Sequence, residues 1–437
     1  MSLWPAIFQT LFCSAIIVGS MTFSWAENFH VGQTVVLQAM KPVGVPVHRR
    51  PTPSFWKHIP TGSVGTIQQI VKNGEWLSVL LDSGDVGWVV PRYVHPTSRL
   101  SHPSQPLMDT AEEERRIWTS RNQCEQVVQN GGRMAPASSS TLRIATWNLR
   151  WFPQGQPENQ HNEMSEPTDL LWLACVILWM QPDILAVQES LATANARKAW
   201  KTVIDQLHQR TDDTWHWSPQ RCGRSDDHHI GFLWNAGHVT LSHFDSLWQF
   251  NAKATSRQSP CGGGLRPGHY AWVQSRKKNG VDFHLIALHL KSGPTVAAVE
   301  QRHRALNRLD QTIAPLLKQD QDVAILGDFN TMGAGDRRTQ LYELKAVRRL
   351  VGKEPPGFQD LPITPQCTQY FRGRGGWLDH VLVTKDMAEA RERTARVTGY
   401  CAVLGCRRFQ GQWPLAYRRL SDHCPVILEV QNQDVDG

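Results

Sequence analysis

A series of apolar runs in this chain end, or begin, on residues that can bind a cation or move a proton. Arg143-Ile144-Ala145-Thr146-Trp147 ends in Asn148, and Ile184-Leu185-Ala186-Val187-Gln188 ends in Glu189. Leu285-Ile286-Ala287-Leu288 ends in His289. Val323-Ala324-Ile325-Leu326-Gly327 ends in Asp328, with Asn330 two residues on. Asp379 stands at the start of Leu378–Val383, and Asp422-His423 precedes Cys424-Pro425-Val426-Ile427-Leu428. Carboxylate and amide oxygens suit a hard divalent cation, and histidines near carboxylates suit proton transfer at neutral pH. One such residue alone is ordinary, because Asx and His side chains commonly satisfy strand ends and turns. The whole set, brought to one edge of a sheet, would make a site.

The elements that must position these residues begin at Thr141. From there strand-like runs alternate with helix-like ones: Arg143–Trp147, Thr168–Met180, Ile184–Gln188 and Ala194–Gln209, then strands near 230–234, 270–274 and 283–289. A helix is predicted near Ala297–Leu317, followed by strands at Val323–Leu326, Leu378–Val383 and Cys424–Val430. Mixed strands and helices over residues 141–431 predict an α/β layered fold. The apolar run Leu170–Met180 is too short to span a bilayer and suits a buried helix.

Ahead of this region, residues 27–97 read as short strands, Thr34–Leu37, Gly65–Val71, Trp76–Leu81 and Gly87–Val90, with turn signals at Asn73-Gly74 and Ser83-Gly84. A small β-barrel is predicted. The segments Asn73-Gly74-Glu75-Trp76-Leu77 and Asp85-Val86-Gly87-Trp88-Val89-Val90, followed by Tyr93-Val94, resemble the bacterial Src-homology-3-like family. That resemblance implies a peptide or cell-wall ligand; for Trp76 or Trp88 taken singly, a place in the barrel core is the favoured reading. Residues 98–140, rich in Pro and Ser at both ends, read as a linker with one short helix around Ala111–Arg116.

The first charged residue is Glu27, after an apolar stretch ending in Ser24-Trp25-Ala26. Residues 1–26 therefore read as a secretory signal peptide, which predicts a periplasmic or secreted bacterial protein with no stable membrane span once the signal is removed. No Lys or Arg precedes the apolar core, so an uncleaved anchor is the alternative. Of nine cysteines, Cys13 lies in the leader, and the remaining even set permits disulfides in an oxidising compartment. Cys175, inside an apolar run, and Cys424, opening a strand, are expected to be free and buried. Candidate pairs lie among Cys124, Cys222, Cys261, Cys367, Cys401 and Cys406. No CxxC pair supports a zinc ribbon. With 41% hydrophobic residues the chain can bury a sizeable core, and a net charge of +7 suits an anionic partner without naming one.

Taken together, Thr146-Trp147-Asn148, Val187-Gln188-Glu189, Ala287-Leu288-His289, Gly327-Asp328-Phe329-Asn330, Leu378-Asp379-His380 and Ser421-Asp422-His423 resemble the endonuclease/exonuclease/phosphatase superfamily. The resemblance covers roughly residues 141–431. It implies a four-layer αββα sandwich of the deoxyribonuclease type, here preceded by a small all-β barrel. It also implies cleavage of phosphoesters with a divalent cation, Mg²⁺ first and Mn²⁺ or Ca²⁺ as alternatives. By the same resemblance Glu189, with Asn148 and Asp422, is the metal side. His423 is a general base or phosphate-positioning group whose other ring nitrogen Asp379 would hold. Asp328 would orient or deprotonate the attacking water, and Asn330 would donate to the phosphoryl group. His289 matches the deoxyribonuclease-like branch, where a second histidine protonates the leaving oxygen or binds phosphate.

Departures narrow the substrate. Inositol-phosphatase relatives carry Cys-Asp-Arg where this chain reads Trp377-Leu378-Asp379-His380. No long aromatic hairpin of the membrane-inserting sphingomyelinase type is found, although 18 Trp residues keep lipid contact open. Arg276 with Lys277 and Lys278, Arg302 with Arg304, Arg407 with Arg408, and Arg418 with Arg419 could meet a polyanion or simply be solvated. The reading is thus an exported endonuclease acting on DNA, or on RNA. The first alternative is a phosphodiesterase or phosphatase on a lipid or small molecule. The second is a non-catalytic cell-wall or peptide-binding protein.

Overall fold

The computed structural model of the chain describes residues 31, 34–37, 45–52, 55–59, 63–71, 75–81, 86–96, 110–135, 140–156, 165–221, 228–352, 357–390, 394–409 and 412–435. The signal segment, Cys13, Cys222 and the turn residues at 73–74 and 83–84 lie outside them. The chain forms two compact units, Met1–Pro106 and Leu107–Gly437.

The first unit has β1 (Thr34–Leu37), β2 (Val45–His48), β3 (Phe55–Ile59), β4 (Ser63–Val71), β5 (Trp76–Leu81), β6 (Val86–Val89) and β7 (Val94–Pro96). They make one sheet, β3-β2-β6-β5-β4-β1-β7. Its pairs are antiparallel. The unit is thus the small all-β element expected, an antiparallel sheet in which, among the described residues, β3 and β7 are the two outer strands. Val35, Leu37, Val45, Val47, Ile67, Leu77, Val79 and Val89 form its core. Trp76 is buried with its ring edge-on to His48, whereas Trp88 is only half-buried.

The second unit begins with α1 (Thr110–Thr119) and α2 (Arg121–Gln129). Residues 110–129, expected in a linker, pack here instead. Ile117, Trp118, Cys124, Val127 and Val128 are buried in the main core, and Trp118 meets Trp147 edge-on at 5.7 Å. There follow β8 (Thr141–Phe152), α3 (Leu170–Met180), β9 (Ile184–Leu191), α4 (Ala194–Arg210), β10 (Trp215–Pro219), β11 (His228–Asn235), β12 (Val239–Leu247), β13 (Gly268–Ser275) and β14 (Asp282–His289). Next come α5 (Val296–Leu306), α6 (Leu309–Ile313), β15 (Val323–Asp328), α7 (Arg337–Val351), β16 (Phe358–Asp360), β17 (Ile363–Thr364), β18 (Gln369–Phe371) and β19 (Arg374–Gly376). The unit closes with β20 (Asp379–Thr384), β21 (Ala395–Val397), α8 (Tyr400–Leu404), α9 (Leu415–Arg419) and β22 (Val426–Gln431). The single helix expected over 297–317 is broken after Leu306, where Asn307 caps α5. The run Leu170–Met180 is α3, capped by the Asp169 side chain on Trp172 N–H and buried over most of its length. Among the described residues no helix is long and apolar enough to cross a membrane.

Two sheets form the sandwich, β10-β11-β9-β8-β22-β21-β17 and β12-β13-β14-β15-β20-β16. Alternation along the second sheet explains the layering. Leu285 and Ala287 of β14, Ala324 and Leu326 of β15, and Val381 and Val383 of β20 join the main core. The residues between them, Ile286, Leu288, Ile325 and Leu382, join a second core with Val347 and Val351 of α7 and Leu306 of α5. A period of two on each strand thus builds sheet-on-sheet packing inward and sheet-on-helix packing outward. The result is a four-layer αββα sandwich.

Cys124–Cys175, Cys367–Cys406 and Cys401–Cys424 are disulfides, and Cys261 is also disulfide-bonded. Cys175 and Cys424 are therefore not the free thiols expected. An apolar surrounding hides a bridge as readily as a thiol, and the partners come from α2 and α8.

Candidate active site

Strand direction gathers the polar strand ends at one edge. β8 runs parallel to β9, and β14 parallel to β15, so Asn148, Glu189, His289 and Asp328 all lie toward carboxyl ends. His289 and Asp328 are register partners. β20 is antiparallel to β15 and places its first residue, Asp379, opposite Asp328. β22 is antiparallel to β8, so Asp422 and His423, just ahead of it, return to the end of β8. The backbone at this edge is held in uncommon conformations: Arg150, Trp151, Glu189 and Asn330 all have φ between 40° and 62°. Non-glycine residues visit this region rarely, at a cost of order 1–3 kcal/mol each, and they cluster where geometry is functionally constrained. Gly327 has φ 135°, and a Cβ there would lie 2.1 Å from the Leu288 carbonyl oxygen, which explains glycine ahead of Asp328.

The side chains converge across the two sheets. Asn148 Nδ2 donates to Glu189 Oε1 at 3.1 Å and to Asp328 Oδ2 at 3.0 Å. Asn148 Oδ1 accepts from the Arg150 N–H. Glu189 Oε2 accepts the Trp151 N–H at 3.1 Å, a group freed by the register break between Asn148 and Phe152. Asp328 Oδ1 accepts the Asn330 N–H at 2.8 Å, and Asn330 Nδ2 donates to Leu290 O. His423 Nδ1–H donates to Asp379 Oδ2 at 2.8 Å, with its Nε2 3.8 Å from Asp328 Oδ2. His289 Nε2 lies 3.7 Å from Glu189 Oε1 and 3.6 Å from Asp328 Oδ2. Asp422 sits to one side, 4.0 Å from Arg150 Nε, and accepts from Gln369 Nε2. It connects to the rest through Ser421, whose hydroxyl donates to Asn148 O.

Burial sets the electrostatics. Burial is the largest influence on Asp328 and raises it; Asp379 adds to this and His423 opposes it, leaving the carboxyl at about 7 instead of 3.8. For His423 burial disfavours the charge, but Asp379 and Asp328 outweigh it and lift the imidazolium from 6.5 to about 10. Glu189 is also opposed by burial. Nearby His228, the Asn148 amide, Arg266 and His423 more than offset this and hold it below its ordinary value. His289 is driven well below 6.5 by burial, and then by Arg266, His228, His423 and Lys291.

Several groups here were not singled out in the sequence. His228, at the start of β11, places Nδ1 3.7 Å from Glu189 Oε2. Arg150 is buried, with its guanidinium 5.2 Å from the Tyr417 ring centre. Arg266 donates to the His228 carbonyl. Of the expected basic clusters, Arg276 and Lys277 belong to the opposite edge, lining a separate cleft with Asp183 and His238. Arg302 is buried against Glu343 and cannot meet a polyanion. Arg418 and Arg419 both pair with Glu166.

No curated protein matches the chain. Among solved structures, an endonuclease/exonuclease/phosphatase from Bacteroides vulgatus is 13% identical, covers 68% of this chain and 100% of its own, and has a TM-score of 0.46. A mannosyl-6-phosphatase from Bacteroides thetaiotaomicron is 15% identical over 66% and 99%, with a TM-score of 0.44. A D. rerio TDP2 complexed with a single-strand DNA product is 15% identical over 67% and 99%, with a TM-score of 0.42. Likeness of this degree says nothing about substrate. Residues 145–423, well over half of the chain, match the model of the Endonuclease/Exonuclease/phosphatase family. The chain belongs to that family, whose members hydrolyse phosphoester bonds.

Proposed function

We propose that the chain is an exported, metal-dependent phosphodiesterase that hydrolyses nucleic acid, DNA in preference to RNA, by attack of an activated water on phosphorus. The observation that carries this reading is the Asn148 amide, which holds Glu189 and Asp328 together while His423 stands between Asp328 and Asp379. A low-lying carboxylate, a carboxyl poised near neutrality and a buried imidazolium are what phosphate displacement asks of a protein.

Glu189, Asn148 and Asp422 would hold a divalent cation. The fit rests on Glu189, which is held below its ordinary value and so stays anionic, and on the Asn148 amide in contact with it; Asp422, which sits to one side, joins the set by the family resemblance. A divalent cation, when bound, neutralises charge on non-bridging oxygens. Asp328 accepts the proton of the attacking water, because its carboxyl titrates near the working pH. His423, oriented by Asp379, stays protonated at neutral pH and donates to a phosphate oxygen. That makes His423 the phosphate-positioning group and Asp328 the base. Asn330 keeps one amide N–H for the phosphoryl group.

Nucleic acid is favoured by the net charge of +7 and by Arg266 and Lys291, whose positive fields reach His289. Export is supported by the disulfides, which persist in oxidising compartments. A peptide or cell-wall ligand for the first unit rests on its sequence resemblance alone.

The test is incubation of the purified chain with plasmid DNA, RNA and sphingomyelin vesicles, each with Mg²⁺, with Mn²⁺ and with chelator. Nicking of DNA that chelator abolishes is expected. No nucleic-acid turnover with any divalent ion would refute the reading.

A pH prediction follows from Asp328. Its folded value of about 7 exceeds its ordinary 3.8, so the folded state binds the extra proton between these limits. Its contribution is present below about pH 4 and lost as pH rises through 7. In chelator, melting of the native protein should decline over that window more than melting of Asp328→Asn. Parallel profiles for the two proteins would show that Asp328 does not titrate there.

A further inference from the structure

We infer that Glu189, His228 and His289 form a mixed oxygen–nitrogen metal site that selects a first-row transition ion over Mg²⁺. This rests on the reading of the site as metal-dependent and deepens it. One Glu189 oxygen and one nitrogen from each histidine all lie within 4.8 Å of one another. His228 Nδ1 is 3.7 Å from Glu189 Oε2, and His289 Nε2 is 3.7 Å from Oε1. Both separations exceed a hydrogen bond. In the same centre His423 and Asp379 close to 2.8 Å, whereas Glu189 and the two rings stand 3.7 Å apart.

An intervening ion accounts for that spacing. Ligands each about 2.0–2.2 Å from an ion stand about 3.4 Å apart at a tetrahedral angle and about 3.0–4.2 Å apart around an octahedron. The two rings are also prearranged: they stack at 6.1 Å with planes 13° apart, and Trp151 meets His228 edge-on at 4.1 Å. One ring nitrogen thus stands 3.7 Å from each Glu189 oxygen.

Ligand type then decides selectivity. Mg²⁺ prefers oxygen, keeps several waters and gains little from imidazole. Imidazole nitrogen favours Mn²⁺, Co²⁺, Ni²⁺ and Zn²⁺ in rising order of affinity. Asn148, in contact with Glu189, adds an amide to the same edge, and the two histidines set the preference.

The experiment titrates the metal-free full chain with Mn²⁺ and with Mg²⁺ by calorimetry and records pulsed electron paramagnetic resonance of bound Mn²⁺. Mn²⁺ should bind at least about tenfold tighter than Mg²⁺, with coupling to imidazole ¹⁴N. His228→Ala, with the more conservative His228→Asn as a second variant, should weaken Mn²⁺ by about 10–100-fold and weaken Mg²⁺ far less. Equal affinity for the two ions, absent nitrogen coupling, or unchanged Mn²⁺ binding in both variants overturns the inference. Nitrogen-coupled Mn²⁺ without phosphodiester turnover would leave this site standing and remove the proposed activity. DNA cleavage with Mg²⁺ and no nitrogen coupling would do the reverse.

Discussion

His423→Ala is expected to lower the turnover of phosphodiester hydrolysis by at least about 10²–10⁴-fold while circular dichroism still reports a folded sandwich. The size follows from what the ring touches. Nδ1–H is fixed on Asp379 at 2.8 Å, and Nε2 faces Asp328, so the imidazolium is aimed and charged before substrate arrives. Preorganised charge in a buried site is worth far more than the same charge in water. Removal also leaves Asp328 and Asp379 facing each other without a cation, which pushes Asp328 further up and leaves less of it ionised to accept a proton at neutral pH. Stability has its own pH sign. The folded value of His423 is raised from 6.5 to about 10, so its contribution is full below pH 6.5 and lost as pH rises through 10. Native protein and His423→Ala should therefore converge in melting temperature at the alkaline end. A folded His423→Ala retaining a tenth or more of native turnover would remove His423 from the chemistry.

The largest effect on stability is expected at Glu343. Its carboxylate takes two nitrogens of Arg302, at 2.7 and 2.8 Å, and also the Gly333 N–H at 2.7 Å. The third arm of Arg302 donates to Lys291 O and Gly293 O. Both residues are buried, so Glu343→Ala strands a guanidinium in the interior, at a cost of about 3–5 kcal/mol. The pair also clasps the loop after His289 to the loop after Asn330, so turnover should fall with stability. Urea unfolding measures the first and DNA nicking the second. A loss under about 1 kcal/mol would mean that the pair behaves like a surface salt bridge.

The candidate site was legible because it interrupts a pattern. Asn148, Glu189, His289 and Asp328 each end an apolar strand, and a polar residue at that place stands out against a period of two. His228 has no such contrast. It follows Ser225-Asp226-Asp227 and precedes His229, in a stretch where polar residues carry no signal. The Trp151 N–H that serves Glu189 depends on a break in pairing that side-chain types do not encode. Arg302 looked like surface charge because burial of an arginine is decided by a partner far along the chain. The same is true of Cys124–Cys175 and Cys401–Cys424: sequence separations of 51 and 23 residues are closed only by the tertiary fold. Of the helices at 110–129 the first was expected, around Ala111–Arg116; the second, and the docking of both through Ile117, Trp118, Val127 and Val128, were hidden by short length and polar surface.

The return of β22 to the flank of β8 also bears on timing during synthesis. Strand β8 opens the sandwich in sequence, yet one of its two neighbours in the sheet is β22, the last strand of the sandwich. His423 lies just ahead of that strand. A growing chain can therefore lay down Glu189, Asp328 and Asp379 while the middle of the first sheet still lacks a strand. Within the sandwich, that one late segment completes both the first sheet and the group of candidate site residues.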